Sequence, residues 1–133
     1  MKHINHIGIA VADLEDAIDT YERLLGRECY KRERVDQQQA AAAFFRAGES
    51  KVELLGATSA DSVIAKFIDR KGEGVHHIAF EVDDIRAEMD RLRTDGFTIL
   101  SEEPGRGADN KLVAFVHPRD NHGVLVELCQ PIT

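Results

Sequence analysis

The fold of this chain is indicated by His6-Ile-Gly-Ile-Ala-Val-Ala-Asp-Leu, which returns as His77-Ile-Ala-Phe-Glu-Val-Asp-Asp-Ile, 77 − 6 = 71 residues later. Further along each half, an apolar run carries one carboxylate. Glu53 lies in Lys51-Val-Glu-Leu-Leu and Glu127 in Leu125-Val-Glu-Leu-Cys, 127 − 53 = 74 residues apart. Self-similarity at so long a period is typical of a structural module that occurs twice in tandem.

Composition and charge narrow the class of protein. With 133 residues, 43% of them hydrophobic, the chain has the size of one ordinary globular domain, so we expect a single domain over residues 1–133. The net charge of −7 argues against nucleic acid and anionic membranes as partners. A phosphate-bearing small molecule is compatible with this charge, because a few Lys or Arg side chains can dominate locally.

The cysteines and the N-terminal sequence bear on the compartment. Cys29 and Cys129 lie in apolar stretches without CxxC spacing, which is typical of buried free thiols. No long apolar segment follows Met1-Lys2-His3, so neither a signal peptide nor a transmembrane helix is predicted. We therefore expect a cytoplasmic protein.

Module one, about residues 1–57, is predicted to be β-α-β-β-β. Its helix begins after Asp13, a side chain suited to an N-cap, and stops at Gly26. Alternating and β-branched residues mark the strands. The predicted strands are residues 4–11, 28–34, 40–46 and 51–55.

Module two, about residues 74–133, follows the same order. Its helix is capped by Asp83 or Asp84 and stops at Gly96. The predicted strands are residues 75–82, 97–101, 112–116 and 124–129. Packed side by side, the two modules are expected to curl into an incomplete barrel with helices outside, an α+β fold.

Two further segments complete the predicted organisation. Residues 59–70 carry apolar side chains at helical spacing and form a connecting helix, which Lys71-Gly-Glu-Gly links to module two. Residues 102–111, with one Pro and two Gly, are the longest irregular stretch. A Gly-rich loop beside a site is suited to act as a lid or to contact a substrate.

The duplicated His and Glu positions predict a divalent metal site formed by His6, Glu53, His77 and Glu127. A single His on a strand is more often a hydrogen-bonded structural residue, but its recurrence in both modules favours a ligand role. A Glu in the middle of an apolar strand is costly to bury unless it is paired or bound to metal. The alternative is that both Glu side chains face solvent. Two imidazoles and two carboxylates suit a divalent transition metal.

The remaining histidines are expected to have other roles. His76 and His77 are adjacent, so they point to opposite faces of their strand, and alignment of the two halves selects His77 as the ligand. His76 is then a packing residue or a support for the ligands. His3, His117 and His122 have no counterpart in the other module and are interpreted as surface or loop residues.

These stretches resemble the vicinal oxygen chelate superfamily, and within it the methylmalonyl-CoA epimerase family. The matching segments include Gly74-Val-His-His-Ile-Ala-Phe-Glu-Val-Asp-Asp-Ile and Asn110-Lys-Leu-Val-Ala-Phe-Val-His-Pro. The resemblance covers essentially the whole chain. It implies paired β-α-β-β-β modules around a divalent ion, in this family cobalt, with Mn²⁺, Ni²⁺ or Zn²⁺ also accepted.

The resemblance also implies an activity. A metal-dependent epimerase would interconvert the 2R and 2S forms of methylmalonyl-CoA by abstracting the α-proton through a metal-stabilised enolate. The resemblance implies that the four metal ligands are His6, Glu53, His77 and Glu127, and that Glu127 is also a catalytic base. It further implies a coenzyme A thioester substrate and a homodimer. One departure matters, because Ala42 occupies the position where some members have a second glutamate base.

Two other functions fit the sequence less well. A glyoxalase I-type lactoylglutathione lyase, acting on a glutathione hemithioacetal, would use the same ligand set. A metal-independent binding module would not need the intact His and Glu quartet.

If the substrate carries the phosphates of coenzyme A, local cations must bind them, and Arg106 and Lys111 are predicted to do so.

Overall fold

The computed structural model describes all 133 residues and contains eight strands and three α-helices. Module one contains β1 (His3–Ala10), α1 (Leu14–Leu25), β2 (Lys31–Val35), β3 (Ala40–Ala47) and β4 (Ser50–Ala57). After the connecting helix α2 (Val63–Lys71), module two contains β5 (Gly74–Glu81), α3 (Ile85–Thr94), β6 (Gly105–Gly107), β7 (Lys111–Val116) and β8 (Val126–Pro131). The predicted α+β class, built from two β-α-β-β-β modules, is confirmed.

The helices begin where the sequence supplies capping side chains. The Asp13 carboxylate accepts a hydrogen bond from the Asp16 N–H at 3.1 Å, and Gly26 ends α1 with a φ of 67°. Of the two aspartates predicted to cap α3, Asp84 is the one that does so, accepting from the Ala87 N–H at 3.1 Å. Such caps satisfy N–H groups at the start of a helix that have no partner within it, and each contributes about 1 kcal/mol to stability.

The chain forms two compact units. One unit contains Met1–His6 and His77–Thr133, and the other contains Ile7–His76. The boundary falls within β1 and within β5, so each of these strands contributes residues to both units.

In the unit formed by Ile7–His76, β3 pairs antiparallel with β2 on one side and with β4 on the other. Helix α1 packs on this sheet through its apolar face. The buried core of this unit consists of Val11, Ile18, Ala43, Phe45 and Leu54.

In the unit that contains both termini, β8 pairs parallel with β5 and antiparallel with β7, and β6 pairs with β7. Helix α3 packs against one face of this sheet. Its core consists of Val82, Ile85, Met89, Leu92, Ala114, Val116 and Leu128. Since side chains alternate along a strand, Glu127 and its cross-strand neighbour Phe115 lie on the face opposite α3.

One predicted strand is wrong. Residues 97–101 form only an isolated bridge between Ile99 and Val116, and the second strand of module two is β6. The predicted irregular stretch 102–111 therefore contains a strand. A Cβ added to Gly107 would lie 2.8 Å from Val113 Cγ1, so glycine allows β6 to approach β7.

None of the three helices has the length and apolar character needed to cross a membrane.

Candidate metal centre

Three of the four predicted ligands converge in the unit that contains both termini. The Nε2 atoms of His6 and His77 lie 3.1 Å apart. Glu127 Oε2 lies 3.6 Å from His6 Nε2, and Glu127 Oε1 lies 3.3 Å from His77 Nε2. One ligand atom from each residue therefore lies within 4.8 Å of the other two, a spacing at which a single ion can contact all three.

Strand pairing explains this convergence. β5 and β8 are parallel with Ala79 opposite Glu127, and His77 lies two residues before Ala79 on the same face of the strand. Phe115 lies opposite Glu127 on β7, and its ring meets the His77 ring edge-on with centroids 6.0 Å apart. His6 extends from β1, and its ring is also edge-on to that of His77. The sheet of this unit thus presents the three side chains from three strands.

The site is buried and mostly walled by apolar groups. His6, His77 and Glu127 are only 7%, 4% and 6% exposed. Ala79 and Cys129 are fully buried beside them and pack with Val113 and Phe115. A carboxylate in such surroundings is stable only when hydrogen-bonded, paired or bound to a cation. Two imidazoles face it here, and this donor set is the kind that holds a divalent transition ion.

The fourth predicted ligand, Glu53, lies on β4 in the other unit. It is 4% exposed and stands opposite Phe44 in the β3–β4 register. The expectation that Glu53 faces the interior rather than solvent therefore agrees with its burial. Its role as a metal ligand stays a prediction.

The neighbouring His76 has a different environment from that of His77. Its ring meets the ring of Phe67 edge-on, with centroids 4.9 Å apart. Burial lowers the pKa of His76, and the nearby Arg70 guanidinium lowers it further. Both effects disfavour a charged imidazole, so His76 behaves as an aromatic packing residue of α2 and β5.

The structure changes the interpretation of one predicted cation. Lys111 begins β7, and its side chain is only 8% exposed, with Nζ 3.2 Å from Asp109 Oδ2. It is thus a buried, paired residue and not the accessible loop cation that the sequence suggests. Arg106, by contrast, is exposed on β6. Neither cysteine forms a disulfide, and Cys129 is buried as predicted, whereas Cys29 is only half-buried.

One residue that the sequence did not single out contacts a predicted ligand directly. Asn5 is 3% exposed and hydrogen-bonds both to His6 and to Glu81. The sequence signal that could have identified Asn5 is its position, since it is a polar residue directly before a predicted ligand in a mostly apolar strand. Ala42 is buried on β3 and offers no acid–base group.

Comparison with known proteins gives a consistent result. Residues 5–115 match the model of the Glyoxalase/Bleomycin resistance protein/Dioxygenase superfamily. The human mitochondrial methylmalonyl-CoA epimerase is 41% identical over 98% of this chain and 74% of its own length. The ethylmalonyl-CoA/methylmalonyl-CoA epimerase of Cereibacter sphaeroides is also 41% identical, over 96% of each chain.

A solved structure shows the same fold. A variant of Streptomyces coelicolor methylmalonyl-CoA epimerase, in complex with 2-nitronate-propionyl-CoA, matches with a TM-score of 0.93 and 35% identity. The match covers 100% of this chain and 99% of that chain. The chain therefore belongs to the methylmalonyl-CoA epimerase family within the glyoxalase, bleomycin resistance and dioxygenase superfamily.

Proposed function

We propose that this chain is a metal-dependent epimerase that interconverts the 2R and 2S forms of methylmalonyl-CoA. The observation that carries the proposal is the convergence of His6, His77 and Glu127 at one buried point. Membership of the family supports a coenzyme A thioester as the substrate. Epimerisation requires that the proton on the carbon between thioester and carboxylate be removed from one face and returned on the other.

The ligand set agrees with a divalent ion held by His6, His77, Glu127 and, as the fourth ligand, Glu53. Imidazole nitrogen with carboxylate oxygen suits Co²⁺, Mn²⁺, Ni²⁺ and Zn²⁺. We infer Co²⁺, on the resemblance to the epimerases. When bound, the ion supplies Lewis acidity, which favours loss of the α-proton by stabilising the negative charge that develops on the substrate oxygens.

The side chains of the site have different proposed roles in proton transfer and in excluding water. Glu127 is the general base for one face of the α-carbon, and one of its carboxylate oxygens takes the α-proton from that face or, in the reverse direction, returns a proton to it. The Glu127 oxygens lie 3.6 Å from His6 Nε2 and 3.3 Å from His77 Nε2, so all three side chains could bind the same ion. Phe115, Val113 and Ala79 form an apolar wall that limits access of water to the site. Since Ala42 cannot act as a base, Glu53 is our candidate for proton transfer on the other face.

Exchange of the α-proton tests the activity most directly. The metal-loaded protein is incubated with methylmalonyl-CoA in deuterated water, and deuterium at the α-carbon is measured. We expect incorporation that depends on enzyme and is lost when a chelator removes the ion. Ethylmalonyl-CoA in a parallel reaction shows whether the 2-substituent is discriminated. No exchange with either thioester would contradict the proposal.

The glyoxalase I-type alternative has its own outcome in the same experiment. A lactoylglutathione lyase would use the same imidazole and carboxylate ligands, so the metal site alone does not separate the two activities. A glutathione hemithioacetal is therefore offered as a third substrate. Turnover of the hemithioacetal without exchange in either coenzyme A thioester would establish the lyase and reject the epimerase.

We further propose that the protein acts as a homodimer in the cytoplasm. The dimer rests on the resemblance to the epimerases, and the compartment on two cysteines that form no disulfide. Light scattering coupled to size-exclusion chromatography would give the mass of the particle in solution. A mass equal to one 14.8 kDa chain would contradict the dimer.

A further inference from the structure

The residue before the first histidine ligand makes an unusual contact. Neighbouring side chains in a strand normally point to opposite faces. Nevertheless, Asn5 Oδ1 lies 2.8 Å from His6 Nδ1, in a buried environment. The amide nitrogen of the same Asn5 side chain donates to Glu81 Oε1 at 3.0 Å. Glu81, Asn5 and His6 thus form a continuous hydrogen-bonded chain that ends at the metal site.

The direction of this chain follows from the chemistry of its first member. An ionised carboxylate can only accept hydrogen bonds, so the Asn5 group that faces Glu81 must be the amide NH₂. The Asn5 carbonyl oxygen then faces His6, and it too can only accept. His6 Nδ1 must therefore carry a hydrogen. The two hydrogen-bond partners of Asn5 thus fix the orientation of its amide.

A hydrogen on Nδ1 determines what His6 offers to the site. In a neutral imidazole only one nitrogen carries a hydrogen, so the lone pair of His6 lies on Nε2. Nε2 is the atom that lies 3.1 Å from His77 Nε2 and 3.6 Å from Glu127 Oε2. The hydrogen-bonded chain therefore selects the tautomer in which the lone pair points at the place where an ion would be held.

Glu81 is itself held in place from two sides. It is the last residue of β5, and its side chain is 17% exposed. Lys2 Nζ lies 3.7 Å from Oε2, while Oε1 accepts from Asn5 and lies 3.9 Å from His3 Nε2. The Lys2 backbone N–H also donates to the Glu81 backbone oxygen at 2.8 Å. Each carboxylate oxygen thus has its own partner, which orients the carboxylate toward Asn5.

We propose that Asn5 and Glu81 are positioning residues that set the tautomer and ring orientation of His6, so that Nε2 is available to a metal ion. The inference extends the proposed metal site and rests on it. In metal sites, a partner on the non-ligating nitrogen orients the ring and raises the basicity of the ligand. Loss of such a partner typically lowers metal affinity about 10- to 100-fold.

The tautomer can be tested without any metal. Metal-free protein labelled with ¹⁵N-histidine is studied by long-range ¹H–¹⁵N correlation, at a pH where free imidazole is neutral. The His6→Gln variant identifies the His6 signals by their loss. We expect the wild-type protein to carry its His6 hydrogen on Nδ1. A wild-type His6 with its hydrogen on Nε2 would overturn the inference.

The Glu81→Gln variant separates a positioning role from simple packing. Glutamine has nearly the same size and shape as glutamate, but its amide can also donate a hydrogen bond. Asn5 is then free to turn its carbonyl toward residue 81 and its NH₂ toward His6. We expect the His6 signals to shift toward the tautomer with hydrogen on Nε2. A residue that acted only by filling space would not change the tautomer when its volume is conserved.

Metal affinity provides the second readout. The dissociation constant for Co²⁺ is measured by competition with a chelator for the wild type, Glu81→Gln and Asn5→Ala. We expect both variants to bind about 10- to 100-fold more weakly. Asn121→Ala is the matched control, because Asn121 makes only a local side-chain contact, to the Val124 carbonyl in a surface turn. Its affinity should equal that of the wild type.

The outcomes distinguish this inference from the proposed function. An unchanged tautomer and an unchanged Co²⁺ affinity in Glu81→Gln would reject the positioning role, whether or not Asn5→Ala folds. If the tautomer responds to Glu81→Gln but the wild-type protein binds no divalent ion, the metal site of the proposed function fails. The hydrogen-bonded selection of the His6 tautomer would still stand in that case.

Discussion

At the scale of single residues, the site depends on which of two adjacent histidines faces Glu127. His77 Nε2 lies 3.3 Å from the Glu127 carboxylate, whereas the His76 ring packs on Phe67. We expect His77→Ala to lose most of the metal found in the parent protein, and His76→Ala to keep it. Elemental analysis after exhaustive dialysis against metal-free buffer gives the occupancy. If both variants bound metal like the parent, the correspondence between the two halves of the sequence would be in the wrong register.

Glu127 combines two proposed roles, and a conservative substitution separates them. Glu127→Gln keeps an oxygen that can bind an ion but removes the group that accepts a proton. We expect α-proton exchange to fall about 100-fold or more, the usual loss for a general base, while metal content is largely kept. Both quantities are measured on the same preparation. Near-normal exchange in the metal-loaded variant would remove Glu127 from proton transfer.

The residues around the ligands show what a linear sequence does and does not indicate. The duplicated spacing singled out His6, His77 and Glu127, because the same residue type at equivalent positions of two modules is not expected by chance. The contacts of Asn5 and Glu81 were missed, since they join side chains 76 residues apart and leave no periodic pattern. The burial of Lys111 was missed as well, because its pairing with Asp109 depends on the conformation of the turn before β7.

At the scale of secondary-structure elements, β6 depends on a single glycine. A Cβ at Gly107 would lie 2.8 Å and 3.1 Å from the two γ-carbons of Val113, whose branched side chain is itself packed. Gly107→Ala should therefore destabilise the protein by about 1–3 kcal/mol, as overpacking commonly does. Urea unfolding measures the change. Gly105→Ala is the matched control, because a Cβ there meets no atom within 4 Å. Equal stability of the two variants would contradict the close approach of β6 and β7.

The same short strand presents the cation that we expect to contact the coenzyme A tail. Arg106 is exposed, in contrast to the buried Lys111. Arg106→Ala should raise KM for the thioester more than it lowers kcat, because tail contacts stabilise ground state and transition state alike. The effect should shrink at high salt, as exposed charges are screened. Arg91→Ala, on α3, removes the same charge on the face opposite the site and should leave KM unchanged. An unchanged KM in Arg106→Ala would place the tail contact elsewhere.

The elements themselves were largely predictable, with one informative failure. Strands and helices with clear apolar periodicity occur where the sequence predicts them, to within a few residues. Phe97 and Ile99 also alternate, yet they pack against the core from a segment that forms only one bridge. β6 has no apolar pattern. This strand forms through backbone pairing with β7, and its small glycines allow the two strands to approach. Apolar periodicity in a sequence indicates which side chains are buried. It cannot indicate β6, because this strand buries no apolar side chain of its own.

At the scale of the whole molecule, the four predicted ligands belong to two different compact units. His6, His77 and Glu127 belong to the unit that contains the termini, and Glu53 belongs to the other. A ligand that binds only the folded state stabilises it, by about 2.7 kcal/mol at a concentration 100 times the dissociation constant. Metal loading should therefore protect backbone amides near every residue that coordinates the ion. This gives a test of the fourth ligand that does not depend on activity.

Hydrogen–deuterium exchange with and without Co²⁺ measures the protection of backbone amides in each strand. If Glu53 is a ligand, we expect slower exchange on metal loading in β4 as well as in β5 and β8. In Glu53→Gln the gain in β4 should shrink, because an amide binds divalent ions more weakly than a carboxylate. His77→Ala, which loses a ligand in the other unit, should reduce the protection of all three strands together. If metal protects β5 and β8 but leaves β4 unchanged in the wild type, the ion is held by one unit alone, and Glu53 is not a ligand.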